Sequence, residues 1–317
     1  MRPNIAITPG DPRGIGPEVA LRAVEALYAE DPLVSVFFVG PEETVPWADL
    51  RPDLEGLIGS RDQDAAEAGR VAARSIERAT SMALEGSAHA LVTAPVHKPS
   101  LHAAGWVVPG HTEMLQRLSG AERVGMLMTA ERTRLDAPLR VLLATTHISL
   151  RDVPNTVTAE LLTSQAILLA TALRQDWGID QPRLALCALN PHASDGGLFG
   201  DEEARVFGPA VDCMRAAGVC VDGPLPADTV FQKALAGDFH AVVAPYHDVG
   251  MAAFKTVSFG SGVNVTLGLP FVRTSPDHGT AFDISGKGIA DPTSMLEALR
   301  LAVRLSRSRF DTTSADV

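Results

Sequence analysis

Three of the nine histidines follow short apolar runs that read as strands: His147 in VLLATTHISLRD, His192 in LALCALNPHASDGG and His247 in AVVAPYHDVG. Three imidazoles can hold a divalent metal and leave a position open for substrate. Parallel strands that end on one side of a sheet would bring these rings together. Their separations match no short metal motif, and each could instead cap a strand end by hydrogen bonding, so the expectation rests on their shared context. Asp248 could orient the neighbouring imidazole or take a proton. Asp228, in PLPADTVF, could do the same, and either could be a simple turn residue or a general base.

A second group of residues concerns anions. Lys98, Lys255 and Arg273 are isolated cations in apolar or glycine-rich surroundings, APVHKPS, AAFKTVSFG and LPFVRTSPD. A cation in a pocket needs an anion, and arginine suits a carboxylate or phosphate through paired hydrogen bonds. GDPRGIGPE sets Gly10, Gly14 and Gly16 between a strand and a helix, where small residues allow either a ligand's close approach or a tight turn. It lacks the third glycine of the dinucleotide fingerprint, and no GxxxxGK phosphate loop occurs. DHGTAFDISGKGIADP, residues 277–292, gathers small residues around His278, Asp283 and Lys287 and suits a cofactor wrapped by backbone amides.

The elements that would position these groups alternate. Strands are expected over Asn4–Thr8, Leu33–Val39, Ala88–Thr93, Leu139–Thr146, Arg183–Leu189 and Ala241–Pro245. Helices are expected over Pro17–Ala29, Asp64–Leu84 (a surface helix), Thr158–Arg174 and Glu202–Ala217, with another starting at Thr293. This alternation predicts an α/β architecture with a largely parallel sheet, whose ligands collect beyond the carboxyl ends of the strands. The polar stretch from Ser306 to Val317 reads as a disordered tail.

At 317 residues the chain suits one large or two medium-sized domains, and two intertwined domains is the preferred expectation. The net charge of −11 argues against nucleic acid, which requires a broad basic surface. The three cysteines, Cys187, Cys213 and Cys220, match no metal or redox spacing and read as reduced thiols, which suits a cytoplasmic protein. The first residues offer too short an apolar run for a signal peptide, and no segment approaches a membrane span, so no membrane partner is expected.

Taken together, ITPGDPRGIGPE, APVHK, GHTE at 110–113, TTHISLRDV, NPHASDGGLFGDEE, GPLPADTVF, YHDVG and GVNVTLGLPFVRTSPDHGTAFDISGKG resemble the 4-hydroxythreonine-4-phosphate dehydrogenase family of vitamin B6 biosynthesis over nearly the whole chain. The resemblance implies a two-domain α/β/α fold like that of isocitrate and isopropylmalate dehydrogenases, with the active-site cleft between domains. The first domain would comprise 1–110 with 260–317, and the second, carrying the metal ligands and dimer contacts, 111–259. In the wider group the C-terminal glycine-rich loop serves the NAD site, here Gly279, Thr280, Asp283, Gly286 and Lys287. That fold is not the ordinary dinucleotide-binding one, which accounts for the failed fingerprint.

By resemblance, His147, His192 and His247 occupy metal-ligand positions, and His111, Thr112, Lys255, Asn264 and Arg273 occupy substrate contacts in a homodimer with a shared active site. The chain departs from the family in Arg13, usually alanine, and Ser261, frequently arginine. The implied reaction is NAD- or NADP-dependent oxidation with decarboxylation of a small phosphorylated hydroxy acid, 4-hydroxythreonine 4-phosphate to 3-amino-2-oxopropyl phosphate. Zinc is the favoured metal, with magnesium, manganese or cobalt as alternatives. Asp228, Asp248 and Lys255 remain candidates for the proton acceptor. D-Threonate or D-erythronate 4-phosphate and aromatic cis-dihydrodiol carboxylates are alternative substrates within the family, although GHTE and PVHK argue against the aromatic branch. A metal-dependent hydrolase using the same histidines, or a non-catalytic metabolite-binding protein, would be alternatives of another class.

Overall fold

A computed structural model describes residues 2–49, 54–108 and 110–311. In chain order its strands are β1 (Asn4–Thr8), β2 (Ser35–Val39), β3 (Thr44–Pro46), β4 (Ala90–Thr93), β5 (Gly125–Ala130), β6 (Leu139–Leu143), β7 (Arg183–Cys187), β8 (Cys220–Leu225), β9 (Ala241–Ala244), β10 (Val263–Leu267) and β11 (Val272–Pro276). The chain forms two compact units, Met1–Val124 with Val263–Val317 and Gly125–Gly262.

In the first unit the strands run β3-β2-β1-β4-β11-β10. β1 pairs in parallel with β2 and β4, and β4 with β11, whereas β3 and β10 are antiparallel to their neighbours. Every residue of β4 and β11 is buried, as expected for central strands covered on both faces. On one face lies helix Ala65–Leu84, which Asp64 caps by accepting from the Glu67 amide at 2.8 Å. Its spread of polar residues predicts a surface helix, yet one whole stripe is buried, from Ala68 and Gly69 to Ala79 and Thr80. The small side chains on that stripe permit close packing against helix Lys98–Ala103.

Helix His111–Ser119 sends Met114 and Leu115 into the same apolar cluster as Ile76, Leu91 and Phe271. This packing places residues 111–124 in the first unit, whereas the sequence reading puts them in the second. The closing helix Thr293–Asp311 lies on β11 and on helix Gly16–Glu30. Ser306 is fully buried there, and Arg307 pairs with Asp31 at 2.6 Å. Residues 306–311 therefore belong to an ordered helix and not to a disordered tail, while 312–317 lie outside the described residues.

The second unit has the order β5-β6-β9-β7-β8, with β5 antiparallel to β6 and the other neighbours parallel. β6 and β9 are entirely buried. Helices Ala227–Leu235 and His247–Ser258 supply Val230, Phe231 and Phe254 to the cluster containing Val141, Ala185 and Val242. The expected helix over 202–217 begins as a π-helical turn, Glu203–Phe207, and continues as Gly208–Ala216.

Among the described residues, no single helix is long and apolar enough to cross a membrane. All three cysteines are free, Cys187 buried and the other two exposed.

A glycine tests the close packing of helix Ala65–Leu84. A Cβ added at Gly69 would stand 1.9 Å from the carbonyl oxygen of Ser100. Alanine would gain about 1 kcal/mol of helix propensity. Backbone displacement by an overpacked side chain costs about 1–3 kcal/mol. Gly69→Ala is therefore expected to lower stability, and a urea midpoint equal to or above that of the parent protein would refute the packing.

Candidate functional site

The second unit gathers its titratable groups beyond the carboxyl ends of adjacent parallel strands. His147 follows β6, His247 follows β9 and His192 follows β7, and these three strands are consecutive in the sheet. The rings of His147 and His247 lie 5.6 Å apart, tilted by 41°. They line a cavity of ≈ 200 Å³ together with Thr146, Leu150, Tyr246 and Asp248. Asp248 Oδ1 lies 2.7 Å from His247 Nδ1, which fixes the ring and leaves Nε2 as the nitrogen available to a ligand.

His192 does not join this pair. Its Nδ1 stands 3.9 Å from Asp228 Oδ2, and both side chains are well exposed. Among the described residues no group of three or more histidine, cysteine or acidic side chains is close enough to hold a metal. The shared strand-end position thus aligns the three histidines along one edge of the sheet, but within one chain only two rings meet. Lys255 is exposed on helix His247–Ser258, well after His247 at its start.

The cause lies in the loop carrying His192. His192, Ala193, Ser194, Asp195 and Gly196 all have positive φ, from 43° to 70°. A left-handed conformation costs roughly 1–2 kcal/mol for each residue bearing a Cβ. Glu203 opposes that cost. Its carboxylate accepts from the amides of Leu189 and Asn190 at 2.8 and 2.7 Å, from Asn190 Nδ2 at 2.8 Å, and from the Ser194 hydroxyl. Burial pushes this carboxyl up, but the bonds from Asn190, Ser194 and Leu189 outweigh it and the net shift is downward. Sequence reading missed Glu203, one of two adjacent glutamates at the start of a helix and indistinguishable there from a residue favoured by the helix dipole.

In the first unit the anion-binding candidates separate by burial. Lys98 is exposed, whereas Arg273 on β11 is only 2 % exposed. Its guanidinium donates to Thr266 Oγ1 on β10 at 2.9 Å and to Thr93 Oγ1 on β4 at 2.6 Å, the strands on either side. Its Nε has no partner. Burial pushes the guanidinium down to about 10, with Glu113 acting in the opposite sense, so the group remains charged at neutral pH. His111 is half-buried beside the same region, with its Nε2 enclosed and unpartnered, as is Asn264 Oδ1 on β10. Burial, and then the charge of Arg273, hold His111 well below the ordinary histidine value. Thr112 follows it in the first turn of helix His111–Ser119. A buried cation with an unpartnered Nε beside other orphaned polar atoms fits an anion.

The two glycine-rich loops touch each other. The amide of Ile15 donates to the Thr280 carbonyl at 2.9 Å, and the Gly286 amide donates to Glu18 Oε2 at 2.9 Å. A Cβ at Gly14 would lie 2.8 Å from the Thr280 carbonyl oxygen, and one at Gly10 would lie 2.2 Å from that of Pro95. The glycines of the first loop therefore serve the protein's own backbone packing. In the C-terminal loop the amides of Ile284, Ser285, Gly286 and Lys287 are engaged internally or by Glu18. His278 Nε2, Ser285 Oγ and Glu18 Oε1 are buried without partners, so polar capacity for a cofactor remains there. Asp283 lies in the same segment.

Comparison with known proteins places these observations in a family. The family model described as pyridoxal phosphate biosynthetic protein PdxA matches residues 34–302. The chain belongs to the PdxA family. It is 40 % identical to a 4-hydroxythreonine-4-phosphate dehydrogenase from Ruegeria sp., over 96 % of this chain and 97 % of that protein. It is 42 % identical to a D-threonate 4-phosphate dehydrogenase from Cupriavidus necator, over 97 % and 98 %. The crystal structure of 4-hydroxythreonine-4-phosphate dehydrogenase from Klebsiella pneumoniae superposes with a TM-score of 0.82 at 38 % identity, covering 96 % of this chain and 99 % of that one. Isocitrate dehydrogenase from Methylococcus capsulatus, 16 % identical with a TM-score of 0.53 over 96 % of this chain and 85 % of that one, shares the fold alone. The expected isocitrate dehydrogenase-like fold is therefore present.

The depressed imidazole has a consequence for stability. His111 is depressed when folded and ordinary, near 6.5, when unfolded. The unfolded chain thus takes up the proton first, and stability falls as pH drops below about 6.5. His111→Gln should show a smaller loss of urea midpoint between pH 7.5 and 5.5 than the parent protein. Identical losses would show that His111 is not held neutral.

Proposed function

We propose that this protein is an NAD(P)- and divalent-metal-dependent dehydrogenase of a small phosphorylated hydroxy acid, acting as a homodimer with a shared active site. The first candidate reaction is oxidation and decarboxylation of 4-hydroxythreonine 4-phosphate to 3-amino-2-oxopropyl phosphate. The observation that carries the reading is Arg273, a buried cation with an unused donor beside neutral His111 and Asn264. A phosphate bound here would accept from Arg273 Nε and from His111 Nε2 carrying the ring's proton, with Thr112 in the adjacent turn, while the Asn264 amide oxygen would accept from a substrate hydroxyl or ammonium group. Membership of a family whose relatives are phospho-hydroxy-acid dehydrogenases supports the same class.

His147 and His247 offer a pair of imidazoles to a divalent cation, zinc being favoured by the donor type. Asp248 holds the His247 ring in place. His192 is the third candidate ligand, and a second copy of the chain provides the setting in which the donor set is completed. When bound, the metal lowers the pKa of the substrate hydroxyl and steadies the charge left by loss of carbon dioxide, while the nicotinamide accepts hydride. Asp228, Asp248 and Lys255 are the candidates to receive the hydroxyl proton. Gly279, Thr280, Asp283, Gly286 and Lys287 form the proposed cofactor loop, where the orphaned polar atoms lie.

A substrate panel decides the substrate. Formation of NADH is followed with 4-hydroxythreonine 4-phosphate, D-threonate 4-phosphate, D-erythronate 4-phosphate and a dihydrodiol carboxylate in the presence of divalent metal. Reduction with none of them would sink the dehydrogenase reading. Arg273→Met should reduce kcat/KM for the phosphorylated acid by about 100-fold or more, the loss expected of a buried charge pair. His192→Ala should abolish metal retention after dialysis, and full occupancy in that variant would refute its assignment as a ligand.

A further inference from the structure

Arg13 occupies the position where the resembled family usually has alanine, and its surroundings give that departure a task. The guanidinium donates from Nε to Asp11 Oδ1 at 3.0 Å and from Nη2 to Asp11 Oδ2 at 2.8 Å, a two-point pairing. Asp11 itself is 1 % exposed. The same Nη2 reaches the Ser100 hydroxyl, which also donates to Asp11 Oδ2 at 3.0 Å and lies 2.8 Å from His97 Nδ1. The carboxylate is thereby surrounded by donors, and the planar guanidinium is fixed.

Its outer face meets Phe282. The Arg13 Cζ stands 5.2 Å from the Phe282 ring centroid, within reach of a cation–π contact. The His97 ring meets the same phenyl edge-on, at 5.0 Å and 78°. Phe282 is 41 % exposed, so nothing in the apolar core retains it. The preceding Ala281 has φ of 42°, a left-handed conformation that a residue with a Cβ seldom adopts unless held. Ile15, Glu18 and Arg22 each tie this loop by a single hydrogen bond to its backbone, and Ala290 is buried near its end, whereas Arg13 and His97 grip an exposed side chain in its middle.

We propose that Arg13 is a positioning residue: paired with Asp11 and Ser100, it latches Phe282 and so fixes the loop 277–292 in the conformation that receives the dinucleotide. The cofactor part rests on the function proposed above, whereas the latch rests on geometry alone. A loop held in its receptive form spares the ligand the task of selecting that form. Releasing the latch raises the apparent dissociation constant in proportion to the receptive fraction lost.

The test uses full-length Arg13→Ala and Arg13→Lys with Phe282→Ala as the second variant, because removal of Arg13 leaves Asp11 buried and could disturb folding. Phe282→Ala keeps the ion pair and cuts only the latch. Amide hydrogen exchange of residues 277–292, without cofactor, is expected to quicken in Arg13→Ala and in Phe282→Ala, with Arg13→Lys intermediate. NAD titration should give a dissociation constant raised about tenfold if the receptive fraction falls to about a tenth. KM for NAD should rise similarly, with kcat and KM for the hydroxy acid changed less than about twofold, a split that general loss of structure does not produce. Unchanged loop exchange in Phe282→Ala overturns the latch whatever NAD does. If the parent protein binds no NAD while Phe282→Ala still loosens the loop, the latch stands and the cofactor reading falls.

Discussion

A guanidinium buried in the middle of a sheet is the constraint around which the first unit is organised. Arg273 occupies a strand flanked by two others, and each neighbour contributes a threonine hydroxyl to it. Such a residue is tolerated in a core only if its nitrogens are met, and the two threonines leave Nε without a partner. The half-buried histidine nearby is held neutral by the enclosure of its ring first and by this fixed positive charge second. A site of this kind exchanges some folding stability for a permanent attraction toward anions, and it does so in a protein whose overall charge would repel them.

The second unit solves a different problem by a similar use of strand ends. Consecutive parallel strands deliver histidines to a common edge, but delivery to an edge is coarser than convergence on a point. The rings of His147 and His247 meet beyond the neighbouring strands β6 and β9, where Asp248 holds one of them. The third rides on a left-handed turn anchored by Glu203, which directs it toward Asp228.

The alternation of strands and helices was legible because buried strands are short apolar runs and helices carry an apolar stripe. β10 and β11 were not recognised, since GVNVTLGLPFVRTSP contains asparagine, threonine and arginine where a core strand is expected to be apolar. Those polar residues include Asn264 and Arg273, the anion-site candidates, so the pattern failed where buried polar groups replace apolar ones. β3, β5 and β8 were missed for a related reason: each stands outermost or antiparallel within its unit and lacks the uniform burial of a central strand. The metal candidates were legible from context, the anion candidates from isolated charge and resemblance. Glu203 and the Arg13 latch were not, because both act through partners distant in sequence or through backbone amides, and neither leaves a local motif.

The division of the chain has a consequence for how the protein is made. The second unit is one continuous segment, whereas the first is interrupted by it and closes only with β10, β11 and the last helix. During synthesis the inner unit has its whole core available while the outer one still exposes the edge of β4 that β11 will cover. Arg273 arrives with that final segment. A nascent chain therefore carries its histidine edge before Arg273 and its two threonine partners can meet, and a product terminated before β11 would lack the buried guanidinium altogether.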